Sequence, residues 1–157
     1  MDETISNADI EEIKCVLKLY GILMKKEQAY LKEAFELQMV VDNLMYPKGI
    51  GYGEKIHSNN DAHTTPLINR KQHELKYADE QAAKCRNRYE ELDRQYKIEN
   101  RLEKISKAHR ITIEMIFFQK RSYEQIADKE KIKKQSVSDR VKSAVISFIK
   151  VGHDDGR

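Results

Sequence analysis

The chain of 157 residues contains no tryptophan, only two prolines and only two cysteines. The scarcity of proline, together with 35% charged residues, indicates a soluble and highly helical protein. No run of about 18 apolar residues occurs and the N-terminus is acidic, so we expect neither a membrane span nor a signal peptide. Cys15 and Cys85 lie within helical patterns, and reduced structural thiols are the simplest interpretation. These absences favour a cytoplasmic protein that does not contact a membrane.

The usual signatures of an enzyme are also missing. The glycine-rich segment 47–53 lacks the lysine followed by serine or threonine that ends a phosphate-binding P-loop, and no predicted strand precedes it. His57, His63 and His73 are spaced in a way that matches no helical pair of metal ligands, so solvated histidines are the favoured interpretation. No nucleophile stands in a recognisable arrangement with a base. We therefore predict a protein without catalytic activity, metal or cofactor.

The net charge of +3 conceals an uneven distribution along the chain. Residues 1–100 contain 15 lysines and arginines against 18 aspartates and glutamates, a balance of −3, whereas residues 101–150 contain 13 against 6, a balance of +7. The last seven residues contribute 1 against 2, a balance of −1. Positive charge is thus concentrated toward the C-terminus, which favours a partner with a phosphate backbone there.

A long first helix is predicted to begin after Ser6, whose hydroxyl can cap it with Asp9 at the third position, and to run to about Met45. Its apolar residues alternate at steps of three and four, a heptad pattern typical of coiled coils. Gly21 lies beside this seam and predicts a kink or a break. Because a second apolar stripe widens the hydrophobic face, we expect a homodimer or a higher homo-oligomer. The residues assigned to the oligomer seam are Ile10, Ile13, Leu17, Tyr20, Met24, Leu31 and Val41.

A loop is predicted over residues 46–66, which contain both prolines and three closely spaced glycines. A second long helix follows from Leu67 to Ile105, again with apolar residues at steps of three and four. The two long helices could pair within one chain or between subunits. The predicted domains are therefore a long-helix oligomerisation region over 1–105, a C-terminal domain over 106–150 and a disordered tail over 151–157.

Residues 108–150 contain three apolar patterns of helical period, separated by two short polar breaks. In the first pattern, Ile111, Met115 and Phe118 share one face, which other apolar residues widen. The last pattern again places apolar residues at steps of three and four. We expect all of these positions to enter one three-helix core. They are Ile111, Ile113, Met115, Ile116, Phe117 and Phe118 in the first helix and Val137, Val141, Ala144, Val145 and Phe148 in the last.

The short middle helix has a well-marked start. Ser122 is predicted to cap it by accepting the N–H of Gln125, whose side chain can return to the cap as the second half of a capping box. Ala127 is small enough for a close helix crossing, and Ile132 fills the turn before the last helix begins near Lys134. The predicted fold class is therefore all-α, with a long helical hairpin followed by a three-helix helix-turn-helix domain.

The pattern Ser-Tyr-Glu-x-Ile-Ala, followed by a valine, an arginine and an alanine down the last helix, lies between Ser122 and Ala144. It resembles the fourth region of bacterial RNA polymerase sigma factors. The chain departs from that family at Glu130, Lys131 and Lys133, where an aliphatic residue, a turn glycine and a capping residue are usual. We expect Lys131 to adopt positive φ, which a non-glycine residue tolerates poorly. The resemblance implies a helix-turn-helix whose last helix enters the major groove of DNA.

The order of the elements gives a second resemblance. A long helical N-terminal half, a degenerate loop motif and a terminal sigma-like domain are similar to small phage proteins of Gram-positive hosts, some of which regulate late phage transcription. The loop motif consists of Ile50, Tyr52, Lys55 and Ser58, followed by Thr65 and Pro66. This resemblance implies a phage-encoded transcription regulator acting in the cytosol of a bacterial host.

The sigma-like motif also implies which residues contact double-stranded DNA. Side chains at the start of the last helix would meet base edges, and cations around the turn would meet phosphates without reading sequence. Asp139 could instead pair with Arg140 or Lys142. The implied base-reading residues are Lys134, Gln135, Ser138 and Asp139. The implied phosphate contacts are Lys120, Arg121, Tyr123, Lys131, Lys133, Arg140 and Lys142.

One small helix-turn-helix reads too little DNA for specific binding by itself, which implies either a dimer on two half-sites or docking on RNA polymerase. No segment resembles the sigma region that binds the promoter minus-ten element, so a complete sigma factor is not predicted. Two other classes stay open. One is a phage DNA-packaging protein such as a small terminase subunit, and the other is a helical protein-binding module that inhibits a host enzyme.

Overall fold

The structure, a computed structural model, describes residues 5–46 and 61–155. These residues form helices and no strands, which confirms the predicted all-α fold class. The glycine-rich segment 47–53, His57 and the loop-motif residues Ile50, Tyr52, Lys55 and Ser58 lie outside the described residues. The helices are α1 (Asn7–Met45), α2 (Asp61–Tyr96), α3 (Ile98–Lys104), α4 (Lys107–Ile113), a π-helical segment (Glu114–Phe118), α5 (Tyr123–Glu130) and α6 (Lys134–Asp155).

Helix α1 starts at the predicted cap and is not interrupted at Gly21. Ser6 accepts the N–H of Asp9, and the Asp9 carboxylate accepts the N–H of Ser6, both at 3.1 Å. Gly21 has another role, because a Cβ at this position would overlap the carbonyl oxygen of Phe117. The predicted break is absent, since α1 runs unbroken from Asn7 to Met45. The missing side chain of Gly21 lets the backbone at Phe117 approach the helix closely.

The described chain forms two compact units. Unit 1 contains the first 25 residues together with residues 87–157, and unit 2 contains Lys26–Arg86. The predicted boundary between residues 105 and 106 falls inside unit 1. The start of α1 thus shares its hydrophobic core with the C-terminal helices.

The core of unit 1 is formed by apolar residues from nearly every helix. Tyr20 packs edge-on against Tyr89, with ring centroids 5.6 Å apart, and its hydroxyl donates to Glu99 at 2.7 Å. The Tyr96 hydroxyl donates to Glu12 at 3.3 Å. Since later residues of α1 meet earlier residues of α2, the two helices run antiparallel in this unit. The buried residues of the core are Ile10, Ile13, Val16, Leu17, Tyr20, Ile98, Leu102, Ile105, Ile113, Phe117, Ile126, Ala127, Val137, Val141, Ala144, Val145, Phe148 and Ile149.

Most of the predicted oligomer seam is covered by the chain itself. Four seam residues are buried in the core of unit 1, and Met24 packs against that core. Val41 is buried in unit 2, at 2% exposure, whereas Leu31 is exposed. The seam is therefore largely internal, because α1 uses its heptad face for the helices of its own chain. The four seam residues buried in unit 1 are Ile10, Ile13, Leu17 and Tyr20.

The second long helix predicted from Leu67 to Ile105 is two helices, and it begins earlier. Pro66 is the sixth residue of α2, so the helix lacks the hydrogen bond that an N–H at this position would donate to the preceding turn. Lys97 adopts left-handed backbone angles, with φ at 52°, and separates α2 from α3. The Asp93 carboxylate accepts the N–H of Glu99 at 2.9 Å across this break. A side chain thus replaces the backbone hydrogen bond that the uninterrupted helix would have supplied.

The first helix of the predicted helix-turn-helix buries a narrower face than expected. Ile113 and Phe117 are buried, but Ile111 is 40% exposed. Met115, Ile116 and Phe118 are partly buried against the same core, so Ile111 is the one of the six predicted positions that lies outside it. The helix also widens to a π-helical segment at Glu114–Phe118, which shifts the faces of the residues that follow.

The C-terminal helix is longer than predicted. Helix α6 continues to Asp155, so the tail predicted as disordered from residue 151 is helical through that residue. The helix can continue because Ile149 is buried and Val151 packs against the core. Packing of these apolar residues holds α6 against the core beyond residue 150, where the predicted domain ends.

Candidate nucleic-acid interface

Helix α5 begins with the predicted capping box. Gln125 N–H donates to the Ser122 hydroxyl at 3.1 Å, and Ser122 N–H donates to the Gln125 side-chain oxygen at 2.9 Å. Both donors would otherwise be unpaired at the helix start. Ile126 and Ala127 are buried on the inner side of this helix. The capping prediction is confirmed, and it fixes where the helix before the turn begins.

The turn between α5 and α6 is made without a glycine. Lys131 ends α5 in left-handed backbone conformation, with φ at 56°, as expected from the departure from the sigma pattern. The Ile132 N–H donates to the carbonyl of Ala127 at 3.0 Å, and Ile132 packs against the core. The lysine therefore takes the place of the usual turn glycine at some cost in backbone energy.

Helix α6 has one apolar face and one polar face. The predicted inner residues of α6 are all buried, because their steps of three and four repeat close to the helical period of 3.6 residues. The side chains between them at the start of α6 are exposed, apart from the half-buried Ser138. The polar face therefore carries the residues implied to contact DNA. The inner residues are Val137, Val141, Ala144, Val145 and Phe148.

Three of the four residues implied to read bases have partners within the chain. The ammonium of Lys134 lies 3.3 Å from the Glu124 carboxylate. Gln135 donates to Asp139 at 3.1 Å. Asp139 thus accepts from Gln135, one turn earlier in α6, rather than pairing with Arg140 or Lys142. DNA would have to replace these contacts for the same groups to read base edges.

The residues implied to contact phosphates are mostly exposed cations. Arg140 forms an ion pair with Glu130. Lys120 has left-handed backbone angles, with φ at 54°, and Tyr123 is half-buried against the core. Arg121 is also half-buried. The exposed cations around the turn are Lys120, Lys131, Lys133, Arg140 and Lys142.

Two acidic residues of α5 were missed as part of this surface. Glu124 faces Lys134 and Glu130 faces Arg140, so both pairs join residues ten positions apart. The sequence contains a signal for the second pair, because Glu130 stands where the sigma-like pattern has an aliphatic residue. A repeated acid-to-base spacing across a helix-turn-helix can indicate pairing between its two helices. These acids lower the positive charge that α6 presents.

A groove of about 670 Å³ lies between α4, α5 and α6. Ile111, Met115 and Val137 contribute apolar walls, and Asp139 and Arg140 also line it. The exposed side of Ile111 is therefore part of a groove and not an isolated surface residue. Residues implied in DNA contact border this apolar surface directly.

No protein-family model, curated protein or solved structure matches this chain. Within the described part of the chain, no helix is long and apolar enough to cross a membrane. The described residues also contain no group of three or more His, Cys, Asp or Glu side chains that could hold a metal ion. The functional argument therefore rests on the geometry and the charge of α5, α6 and the turn between them.

Proposed function

We propose that this protein is a phage-encoded, sequence-specific transcription regulator that inserts the start of α6 into the major groove of double-stranded DNA. One observation carries the proposal. The first turns of α6 expose the Gln135 amide and several cations on the side opposite the buried apolar face. The surrounding residues 101–150 have a charge balance of +7. A helix of this kind can approach base edges while its apolar side stays anchored.

The two classes of contact have different chemical roles. Lys134 can donate to guanine O6 or N7, and Gln135 can form a bidentate pair with adenine, so these residues would discriminate sequence. Lys131, Lys133 and Lys142 would meet phosphates and hold the helix in register. The protein would act in the cytosol of a bacterial host, where its target is the DNA of the phage or the host.

The first experiment selects binding sites from a random pool of duplex DNA at two salt concentrations. An enriched inverted repeat, with affinity that falls steeply as salt rises, is the expected result for a dimeric regulator. Salt-sensitive binding without enrichment would favour a packaging protein. Complete absence of DNA binding would favour the protein-binding class.

A paired variant tests the residues assigned to base reading. Lys134→Ala with Gln135→Ala should lose discrimination between selected and random DNA by about 10-fold or more, since each good bidentate contact contributes about 1–3 kcal/mol. The matched control is Lys71→Ala with Gln72→Ala, which removes the same two side chains from α2. Unchanged discrimination in the first variant would remove Lys134 and Gln135 as the base-reading residues.

RNA polymerase is the second partner in this proposal. Selection from the same DNA pool would be repeated with purified host polymerase present. Enrichment of particular DNA sites only when polymerase is present would mean that sequence specificity requires the complex of this protein with RNA polymerase. Equal enrichment without it would show that the protein recognises its site unaided.

A further inference from the structure

Helix α1 carries an exposed apolar stripe within unit 2. Leu31, Phe35, Met39 and Tyr46, which define this apolar stripe, are separated by four, four and seven residues. Those steps place them on one side of a helix, with Tyr46 directly after its last turn. Their exposures are 36%, 67%, 50% and 72%. Contiguous exposed apolar surface of this kind marks an interaction site more often than isolated apolar residues do.

Unit 2 does not need the apolar stripe for its own packing. Arg86 Nε donates to the buried carboxylate of Glu27 at 2.5 Å, which joins the two helices of the unit at one end. The apolar residues that the described part of unit 2 buries are mainly small. They are Ala34, Val41, Ala78, Ala82 and Cys85. The larger side chains of the apolar stripe are therefore left outside this narrow seam.

The charges beside the apolar stripe favour a second copy of the same helix. Lys32 lies N-terminal to Phe35 on α1, and Glu36 and Asp42 lie C-terminal to it; all three are exposed. A parallel copy would place Lys32 next to Lys32 and Asp42 next to Asp42. An antiparallel copy would bring the cation of each helix toward the acids of the other, and it would also oppose the two helix dipoles favourably.

We propose that two copies of this protein associate through the apolar stripe of α1, antiparallel about a twofold axis near Phe35. Phe35 then meets its own counterpart, and Leu31 faces Met39 of the second copy. Tyr46 lies outside this paired segment, because the position opposite it is Met24, which packs against the core of unit 1. A twofold interface uses the same patch on both copies. This inference deepens the proposed function, since a dimer supplies the two helix-turn-helix domains that an inverted repeat requires. The interface differs from the predicted seam, whose residues are mostly buried within the chain.

Solution mass in the absence of DNA tests the interface. The native protein should show about twice the chain mass of 18.5 kDa at micromolar concentration, by light scattering or sedimentation. Phe35→Glu should reduce the mass to that of one chain without loss of helical circular dichroism. The matched control is Val40→Glu, because Val40 is 40% exposed on α1 but lies off the apolar stripe. A monomeric native protein, or a Phe35→Glu variant that stays dimeric, would overturn the proposal.

Cysteine cross-linking tests the direction of the pairing. In a Cys15→Ser background, which removes the exposed native thiol, Phe35→Cys should form a disulfide-linked dimer. Leu31→Cys alone should not cross-link, but a mixture of Leu31→Cys and Met39→Cys proteins should. Self-linking of Leu31→Cys would contradict the antiparallel arrangement. Because neither measurement uses DNA, failure of the dimer and failure of the DNA-binding proposal are separate results.

Discussion

At the scale of single residues, Gly21 shows how a long-range contact can decide one position. From the sequence, a glycine inside a long helix predicts a kink. In the structure, its missing side chain makes room for the backbone carbonyl of Phe117, which lies nearly a hundred residues later in the chain. The local pattern contains no information about that contact. The sequence therefore marks Gly21 as unusual but does not reveal the packing that requires a glycine there.

We expect Gly21→Ala to lower the free energy of unfolding by about 1–3 kcal/mol, the usual cost of overpacking. The neighbour is backbone and cannot rotate away. Chemical denaturation monitored by circular dichroism measures the change. Gly152→Ala is the matched control, because there the added Cβ meets the guanidinium end of Arg101, a flexible side chain. Helix propensity alone would stabilise either variant by about 1 kcal/mol, and that result at Gly21 would refute the packing role.

Other single residues were predictable because their signals are local. The capping box of Ser122 and Gln125 depends on four consecutive residues, and it formed as expected. The positive φ of Lys131 was predictable because this lysine stands where the sigma-like pattern has a turn glycine. By contrast, burial and the hydrogen bond to Glu99 raise the pKa of Tyr20 above its ordinary value of 10.0. No local signal identifies Glu99 as that partner.

At the scale of elements, the pairing between α5 and α6 lowers the net positive charge of the surface proposed to contact DNA. The Glu124–Lys134 pair is exposed on both sides, with side-chain exposures of 74% and 62%. A pair of this kind contributes little to stability, about 0–1 kcal/mol. Its functional effect can be larger, because it places a carboxylate next to the residue proposed to read guanine.

Glu124→Gln should therefore strengthen DNA binding and leave the fold intact. The substitution removes a negative charge from the surface proposed to face DNA, so affinity for random duplex DNA should rise at low salt. The expected gain is up to about 5-fold, since two unit charges at close range in water interact by about 1 kcal/mol. A salt titration of this binding measures the gain, which should shrink as salt screens the charge. The matched control is Glu33→Gln, which makes the same charge change on an exposed site of α1 outside the helix-turn-helix. Weaker binding by Glu124→Gln would mean that the acid positions Lys134 for its contact.

Some helix boundaries have a local sequence signal that predicts them, and others have none. The starts of α1 and α5 have capping residues, and both were predicted. The break between α2 and α3 occurs at Lys97, in a stretch without glycine or proline. Lysine has good helix propensity, so the break depends on tertiary packing, which places Ile98 and Leu102 in the core of unit 1.

At the scale of the whole molecule, apolar periodicity predicted burial but not the partner that provides it. The heptad positions of α1 from Ile10 to Tyr20 were expected to meet another subunit, whereas they meet the helices of the same chain. A seam of this period fits either arrangement equally well. The choice between them depends on which segments the fold brings together, and a single sequence without further information does not specify that.

The contrast between the two units predicts different local stabilities. The described part of unit 1 has eighteen buried core residues, including Leu17, Ile98 and Phe148 at 0% exposure, whereas the described part of unit 2 buries mainly alanines. Backbone amides in segments with few buried apolar contacts open more readily. Hydrogen exchange at low protein concentration should therefore be faster in residues 30–45 of α1 and 67–85 of α2 than in residues 137–149 of α6.

Protein concentration adds a second variable to the same measurement. If the apolar stripe of α1 pairs between copies, residues 30–45 should gain protection as the protein passes from monomer to dimer, while α6 should not change, since binding stabilises the segment that it covers. The Phe35→Glu variant should show no such gain. Equal protection of both units in the dilute native protein would instead show that unit 2 is stable by itself, and its small buried core would then be sufficient without a second copy.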